Sequence, residues 1–157
     1  MGVPMYPSLF KVTLLVVTMV TGASTYAAGD AEAGQAKAAT CVACHGVDGN
    51  SAVPTFPKLA GLGHKYLLKQ MQDIRDGRRP VALMAGQVDN MTDQDLSDIA
   101  AFYDAQPRTG GMADPDKVAL GRKVYLAGIA ERQVPACSGC HSPTGNGNGP
   151  AGYPALG

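Results

Sequence analysis

Apolar side chains recur at helical spacing in two segments of the chain. Between residues 63 and 76 they repeat every three or four positions, and Gly77 follows where a helix commonly ends. A second helix is predicted from Thr92, whose side chain can cap it with Asp95 as the reciprocal partner. No segment has the alternating pattern of a strand, so the chain is predicted to be all-α. The predicted inner faces consist of Tyr66, Leu67, Met71 and Ile74 in the first helix and of Leu96, Ile99, Ala100 and Tyr103 in the second.

Polar residues, glycines and prolines predict where other helices begin and where loops lie. Asp30 can cap a helix that runs towards the first cysteine, and Asp114 followed by Pro115 begins another. The Gly-, Pro- and Asn-rich composition predicts loops over 46–62 and 78–91, and no regular element after Cys137.

The N-terminal segment has the pattern of a secretory signal peptide. Lys11 gives a basic start, residues 12–23 form an apolar run too short to span a membrane, and residues 25–27 (TYA) are an acceptable cleavage site. We predict that residues 1–27 are removed and that the mature chain works outside the cytoplasm.

Composition argues against two classes of protein and leaves the interior short of bulky side chains. Lys plus Arg and Asp plus Glu each number 13, and the resulting net charge of zero argues against a nucleic-acid-binding protein. A hydrophobic fraction of 45% argues against disorder. With three Phe and no Trp, the cores of two small domains would be marginal, so we expect a group other than side chains to fill the interior.

All four cysteines lie in two short motifs of the same form. Residues 41–45 read CVACH and residues 137–141 read CSGCH, and both match C-x-x-C-H, the attachment pattern of c-type haem. At this spacing two thiols can reach two vinyl groups on one porphyrin edge, and the adjacent histidine can coordinate the iron. The pattern predicts two covalent haem c groups, attached at Cys41 and Cys44 and at Cys137 and Cys140, with His45 and His141 as iron ligands.

Paired cysteines have three other common uses: a four-thiolate zinc site, dithiol redox motifs and structural disulfides. None of these accounts for a histidine after each pair. The pairs are also much farther apart than the roughly 15–20 residues usual in zinc ribbons, and no βαβ pattern supports a thioredoxin fold. Haem attachment is the favoured interpretation.

The two motifs lie within a longer internal repeat, which predicts two tandem haem lobes. The matched positions are Gly34 with Gly121 on predicted helices, Gly49-Asn50 with Gly145-Asn146, and FPKL at 56–59 with YPAL at 153–156, with one residue inserted in the second copy.

The second axial ligand of the first haem is predicted to be a methionine. His64, the one histidine outside the motifs, begins a predicted helix and is expected to be solvated. Met71 is assigned to the core and Met91 to a staple before the last helix of this lobe, whereas Met84 lies in a loop from which its thioether can reach the iron. Met84 is therefore favoured, with Met91 as the alternative. His/Met ligation raises the potential and leaves no exchangeable position, which suits electron transfer.

These features resemble the dihaem cytochrome c4 family over nearly the whole mature chain. The resemblance rests on AGDAEAG at 28–34, the first C-x-x-C-H motif, FPKLAG at 56–61, YLLKQ at 66–70, and DQDL through IAAFY at 93–103. It implies two class I cytochrome c lobes joined by a linker. It also implies periplasmic electron transfer towards a terminal oxidase, often by a carrier loosely held at the inner membrane.

The resemblance further implies roles at individual positions. Met84 falls where the family has its distal methionine. The carbonyl of Pro57 would accept a hydrogen bond from Nδ1 of His45, which fixes the tautomer of that ligand. Pro154 takes the place of Pro57 in the second lobe, and Gly34 would permit close contact with the last helix of the first lobe.

The second lobe departs from the family pattern, because no counterpart of Met84 or of the helix at 92–103 follows the second motif. We expect these parts beyond residue 157 and expect the sequence to be a fragment. The predicted plan is a signal peptide at 1–27, a first cytochrome c domain at 28–105, a linker at 106–116 and a partial second domain at 117–157.

We predict an electron carrier, not an enzyme, whose partners are redox proteins, either an oxidase or an upstream dehydrogenase. The alternative is the dihaem electron-transfer subunit of a periplasmic flavin-containing dehydrogenase, which shares the two-lobe plan. A dihaem peroxidase is disfavoured, because no distal acid or Arg/His pair is evident near the second motif. We expect neither a small-molecule substrate nor nucleic acid as a partner.

Overall fold

The computed structural model describes residues 1–2 and 29–156. The apolar run and the cleavage site of the predicted signal peptide lie outside the described residues. Within the described ranges, no helix is both long and apolar enough to cross a membrane. The helices are α1 (Ala31–Lys37), α2 (Val42–His45), α3 (His64–Arg75), α4 (Asp93–Asp104), α5 (Pro115–Ala127) and α6 (Ser138–His141), with 3-10 turns at Ala38–Thr40, Ala82–Met84, Ala130–Arg132 and Gly149–Ala151.

The all-α prediction is confirmed for the part of the chain that is described. Pairing between extended segments there is limited to two isolated bridges, Ile129 with Val134 and Asn148 with Tyr153. The prediction that no regular element follows Cys137 is wrong, because α6 and the last 3-10 turn lie there. Elements of three or four residues show no periodicity, so the pattern of apolar positions could not reveal them.

The predicted caps are present at the helix starts. The carboxylate of Asp30 accepts from the backbone N–H groups of Glu32 and Ala33 at the start of α1. Thr92 and Asp95 form both halves of the predicted capping box on α4. At α5, Asp114 caps and Pro115 takes the first helical position. Each cap satisfies backbone donors that a helix leaves without partners in its first turn.

Helices α1 and α4 pack at very short range. A Cβ built on Gly34 would lie 2.0 Å from the carbonyl oxygen of Asp98, so this contact requires glycine. The buried Asp98 carboxylate accepts from the backbone N–H of Asp30 at 2.9 Å and from Nζ of Lys37 at 2.5 Å. The close contact implied for Gly34 is therefore confirmed, and it fixes α4 against the segment that leads into the first motif.

The core of the first lobe lies where α4 meets α3 and the turn after α1. All four residues of the predicted inner face of α4 are buried. On the α3 side, the ring of His64 hydrogen-bonds through Nε2 to the carbonyl and hydroxyl oxygens of Ser97, both at 3.1 Å. The expectation that His64 is solvated is therefore wrong. The sequence could not reveal this contact, because it forms only when α3 packs against α4. The core cluster consists of Ala38, Leu67, Ile99, Ala100, Phe102 and Tyr103.

Helix α5 of the second lobe is exposed among the described residues, whereas its counterpart in the first lobe, α1, packs against α4. No residue of α5 is buried, and Leu120 keeps 65% of its surface. A Cβ on Gly121 would meet nothing within 4 Å, in contrast to Gly34. The main tie of α5 to the second motif is its Tyr125 hydroxyl, which donates to the carbonyl of Ser142 at 2.5 Å.

The segment between the lobes is held against the first lobe by two side chains. Asn50 donates from Nδ2 to the carbonyl of Pro107 at 2.9 Å and accepts from the backbone N–H of Thr109 at 2.8 Å. Lys58 donates to the hydroxyl of Thr109 at 2.7 Å. Between the lobes themselves, Nζ of Lys65 donates to the carbonyl of Pro150 at 2.7 Å.

Candidate haem sites

The first C-x-x-C-H motif forms a single helical turn. The backbone N–H of His45 donates to the carbonyl of Cys41 at 2.9 Å, and α2 ends at Gly46 with φ +81°. Residues three and four positions apart lie on one helix face, so Cys41, Cys44 and His45 are brought together. Cys41 is half-buried, Cys44 is exposed and His45 is buried, and none of the four cysteines forms a disulfide.

The imidazole of His45 is oriented by the backbone of the following loop. Its Nδ1 lies 2.8 Å from the carbonyl oxygen of Pro57, as the resemblance implies. A carbonyl can only accept, so Nδ1 carries the proton and the lone pair of Nε2 is free to bind a metal. The ring of Phe56 meets the imidazole edge-on, with centroids 6.4 Å apart and planes at 65°.

A cavity that is partly open to solvent lies in front of this imidazole. Cys41, Cys44 and His45 line one part of it, and its wall is otherwise mostly apolar. A porphyrin needs this combination of a large apolar slot, two thiols at one edge and a nitrogen ligand for the iron. The residues present therefore fit a covalently attached haem.

The methionines separate clearly by position. Met84 is half-buried and lines the cavity, in the 3-10 turn before α4. Met71 also lines the cavity, from α3, and packs against the core. Met91 packs against the core, and Met112 is fully exposed between the lobes. Met84 is thus the methionine that lines the cavity from a turn and not from the packed face of a helix.

Sequence reasoning missed one polar feature of the site, the hydroxyl of Tyr103. Its residue was predicted as part of an apolar inner face, and the side chain is indeed only 1% exposed. The hydroxyl oxygen is buried and has no hydrogen-bond partner among the described residues. Tyr103 also lines the cavity, and burial holds the pKa of its phenol well above the ordinary value. The helical periodicity of the apolar positions gave no indication of a buried hydroxyl without a partner.

The second motif reproduces the local geometry of the first. Nδ1 of His141 lies 2.8 Å from the carbonyl oxygen of Pro154, and the Tyr153 ring meets the imidazole edge-on at 5.8 Å and 65°. Cys137 is half-buried and Cys140 is exposed, in the same order as in the first motif.

The loops after the motifs close in the same way. The backbone N–H of Leu59 donates to the carbonyl of Gly49 at 2.7 Å, and that of Leu156 donates to the carbonyl of Gly145 at 2.8 Å. Both glycines have positive φ, +76° and +77°. The sequence repeat is thus a structural repeat, and both copies present a histidine with the same tautomer.

Comparison with known proteins agrees with this geometry. The family model described as cytochrome c matches residues 31–104. The chain is 56% identical over 146 residues to cytochrome c4 of Pseudomonas aeruginosa, covering 93% of this chain and 72% of that protein. It superposes on the crystal structure of reduced recombinant cytochrome c4 from Pseudomonas stutzeri with a TM-score of 0.80 and 52% identity, covering 83% of this chain and 73% of that one.

A more distant relative is the thiosulfate dehydrogenase electron acceptor of Stutzerimonas stutzeri. It is 35% identical over 129 residues, which cover 76% of this chain and 56% of that protein. The repeated site geometry and the two cytochrome c4 matches lead to one assignment: the chain belongs to the dihaem cytochrome c4 family of haem c electron-transfer proteins.

Proposed function

We propose that the protein is a periplasmic electron carrier whose haem groups are attached at Cys41 and Cys44 and at Cys137 and Cys140. The observation that carries the proposal is the repeated pair of a motif histidine and a proline carbonyl, each with a 2.8 Å hydrogen bond. We further propose His45 and Met84 as the axial ligands in the first lobe and His141 as the proximal ligand in the second.

Haem c, when bound, supplies an iron that exchanges one electron. The part of His45 is to present Nε2 with a fixed tautomer and ring orientation, because its Nδ1–H is held by the Pro57 carbonyl. A hydrogen bond of this kind also makes the imidazole a stronger donor to the metal. The soft thioether of Met84 would favour the reduced iron and so raise the potential.

The cavity wall contributes by keeping water away. Apolar side chains from α3 and from the 3-10 turn before α4 line it, and they cannot reorient as water does when the charge of a bound group changes. With His45 and Met84 both holding the iron, the first site would leave no position for a substrate. These features suit a carrier rather than an enzyme.

For the domain plan, we propose the boundaries predicted from sequence, with the first lobe at 28–105, the linker at 106–116 and the second lobe from 117. The ties from Asn50 and Lys58 to Thr109 support a linker whose first part rests on the first lobe. The capped start of α5, with Asp114 as cap and Pro115 at the first helical position, supports a boundary near residue 117.

For the partners, we propose a terminal oxidase as the electron acceptor and a periplasmic dehydrogenase as the donor. The relative named as a thiosulfate dehydrogenase electron acceptor favours a second candidate function, that of the electron-accepting subunit of such a dehydrogenase. The two candidates differ in whether the protein is bound permanently to a catalytic partner.

Purification of the native haem protein from a periplasmic fraction, followed by kinetics, tests this choice. We expect a chain that elutes free of flavoprotein, and whose reduced form is oxidised rapidly by membranes that contain a terminal oxidase. Stable co-elution with a dehydrogenase would favour the second candidate. Steady turnover of peroxide with a reduced donor would contradict the carrier proposal.

A further inference from the structure

Arg79 places a guanidinium at the wall of the first haem cavity. The two arginines before it in the chain are paired with carboxylates. Arg75 contacts Asp76 at 2.8 Å, and Arg78 contacts Asp73 at 2.7 Å and Asp76 at 2.8 Å. Arg79 forms no ion pair with any carboxylate in the described part of the chain. It is therefore a cation at the cavity whose charge is not balanced by a neighbouring side chain.

The backbone at Arg79 is held where α3 ends. Gly77, with φ +74°, turns the chain back after the last residues of the helix. The backbone N–H of Arg79 then donates to the carbonyl of Asp73 at 2.8 Å. Pro80 follows and restricts the backbone of the residue before it to extended conformations. The position from which the Arg79 side chain reaches the cavity is thus fixed by the sequence around it.

The guanidinium is directed by one neutral side chain. Its Nη1 donates to Oε1 of Gln70 at 2.9 Å. Gln70 is half-buried on α3 and lines the same cavity. A guanidinium has five N–H donors, and this hydrogen bond uses one of them. The remaining donors and the whole positive charge are available to an anionic group in the cavity.

Haem carries such anionic groups. Its two propionate carboxylates lie at the porphyrin edge opposite the vinyl groups, so a haem attached at the motif presents them to other parts of the wall. A carboxylate beside apolar side chains needs a cation or hydrogen-bond donors. Among the described residues, the lysine and arginine side chains that line the cavity are Lys58 and Arg79. Nζ of Lys58 already donates to the carbonyl and hydroxyl oxygens of Thr109, at 2.9 and 2.7 Å.

We propose that Arg79, directed by Gln70, binds a propionate carboxylate of the first haem. The planar fork of a guanidinium matches a carboxylate, which it can hold through two parallel hydrogen bonds. The inference rests on haem attachment at Cys41 and Cys44, as proposed above. Reduction adds an electron to the haem, and a cation in contact with it favours that state, so Arg79 raises the midpoint potential of the first haem.

Redox titration and resonance Raman spectroscopy of the full haem-loaded protein test the inference, with haem content measured on every sample. We expect Arg79→Gln to lower one of the two midpoint potentials and to shift the propionate bending band of one haem. Arg79→Lys keeps the charge but loses the fork. We expect it to recover most of the potential and to leave the band shifted.

Arg78→Gln is the matched control. It removes the same charge from the adjacent position, but Arg78 pairs with two aspartates and does not line the cavity. Because exposed charges that do not touch the haem are screened by water and salt, we expect both potentials and the propionate bands to stay as in the wild type.

Two outcomes would overturn the inference. An unchanged potential and band in Arg79→Gln, with two haems per chain, would remove the contact and leave the proposed function intact. Equal potential shifts in Arg79→Gln and Arg78→Gln, without a change in the band, would assign the effect to overall charge. If Arg79→Gln does not fold, the band of Arg79→Lys decides. Absence of haem from the wild-type chain would instead remove the proposed function itself.

Discussion

Nδ1 of His45 lies 2.8 Å from the carbonyl oxygen of Pro57, twelve residues farther along the chain. This hydrogen bond leaves Nε2 as the only ring atom able to bind a metal. The same bond joins His141 to Pro154 at the same distance, although that loop is one residue longer. The longer loop contains the 3-10 turn Gly149–Ala151, and the orientation of the histidine is kept.

Replacing Met84 tests the distal ligand of the first lobe. We expect Met84→Ala to convert one haem from low spin to high spin and to lower its potential, because the thioether that favours reduced iron is lost. Absorption spectroscopy and redox titration measure both effects. Met112→Ala is the control, because Met112 is fully exposed between the lobes. A low-spin spectrum retained in Met84→Ala would exclude this residue as the ligand.

A matched pair of glycines tests the packing of α1 on α4. Gly34→Ala is expected to lower the free energy of unfolding of the first lobe by about 3 kcal/mol, because the new methyl group overlaps the Asp98 carbonyl. Gly110→Ala, in the linker, where a Cβ would meet nothing within 4 Å, is expected to change this free energy by at most about 1 kcal/mol. Equal effects of the two variants in denaturant unfolding would contradict the packing described.

The carboxylate of Asp98 predicts how stability depends on pH. The Asp30 backbone N–H, followed by Lys37, holds the pKa of Asp98 below its ordinary value. Because the pKa of Asp98 is lower in the folded state than in the unfolded state, the ionised carboxylate stabilises the fold above about pH 4, the unfolded-state pKa. This stabilisation is lost as the pH falls from about 4 through the folded-state pKa.

We therefore expect Asp98→Ala to lose about 2 kcal/mol near neutral pH, and the gap to the wild type to narrow in acid. Thermal unfolding across pH measures this difference. The exposed Asp89, changed to Asn, is the control and should track the wild type. A gap between Asp98→Ala and the wild type that does not change with pH would show that the charge of Asp98 is not involved.

Replacing Ser142 tests whether the backbone at this residue, in the second copy of the repeat, is strained. It adopts φ +66° where the first copy has Gly46 at φ +81°, a conformation that costs a residue with a Cβ on the order of 1–3 kcal/mol. We expect Ser142→Gly to stabilise the second lobe by about 1 kcal/mol, since the serine hydroxyl recovers part of the cost by accepting from the N–H of Asn146. Gly46→Ser should destabilise the first lobe. Denaturant unfolding that shows the opposite order would contradict this assignment.

Local signals predicted much of this fold. The caps at Asp30, Thr92 and Asp114 and the inner face of α4 are present as expected, because short-range hydrogen bonding and periodicity determine them. The contact of His64 with Ser97 could not be predicted, since it forms only when α3 and α4 pack.

At the site, the C-x-x-C-H spacing predicted haem attachment at both motifs. The resemblance predicted the hydrogen bond between His45 and the Pro57 carbonyl, which the structure confirms. The hydroxyl of Tyr103 escaped notice because its position in the helix marks it as apolar, and only the fold shows that the oxygen lacks a partner. The positive φ of Ser142 was equally hidden, because serine gives no sequence signal for it.

The central claim is that both motifs carry haem. The haem-to-protein ratio of the mature chain, measured as pyridine haemochrome after expression with c-type maturation, tests it most directly. The account predicts two haems per chain, reduced to one by Cys41→Ser with Cys44→Ser and also by Cys137→Ser with Cys140→Ser. One haem in the wild-type protein would limit the claim to a single lobe, and a ratio of zero would contradict it entirely.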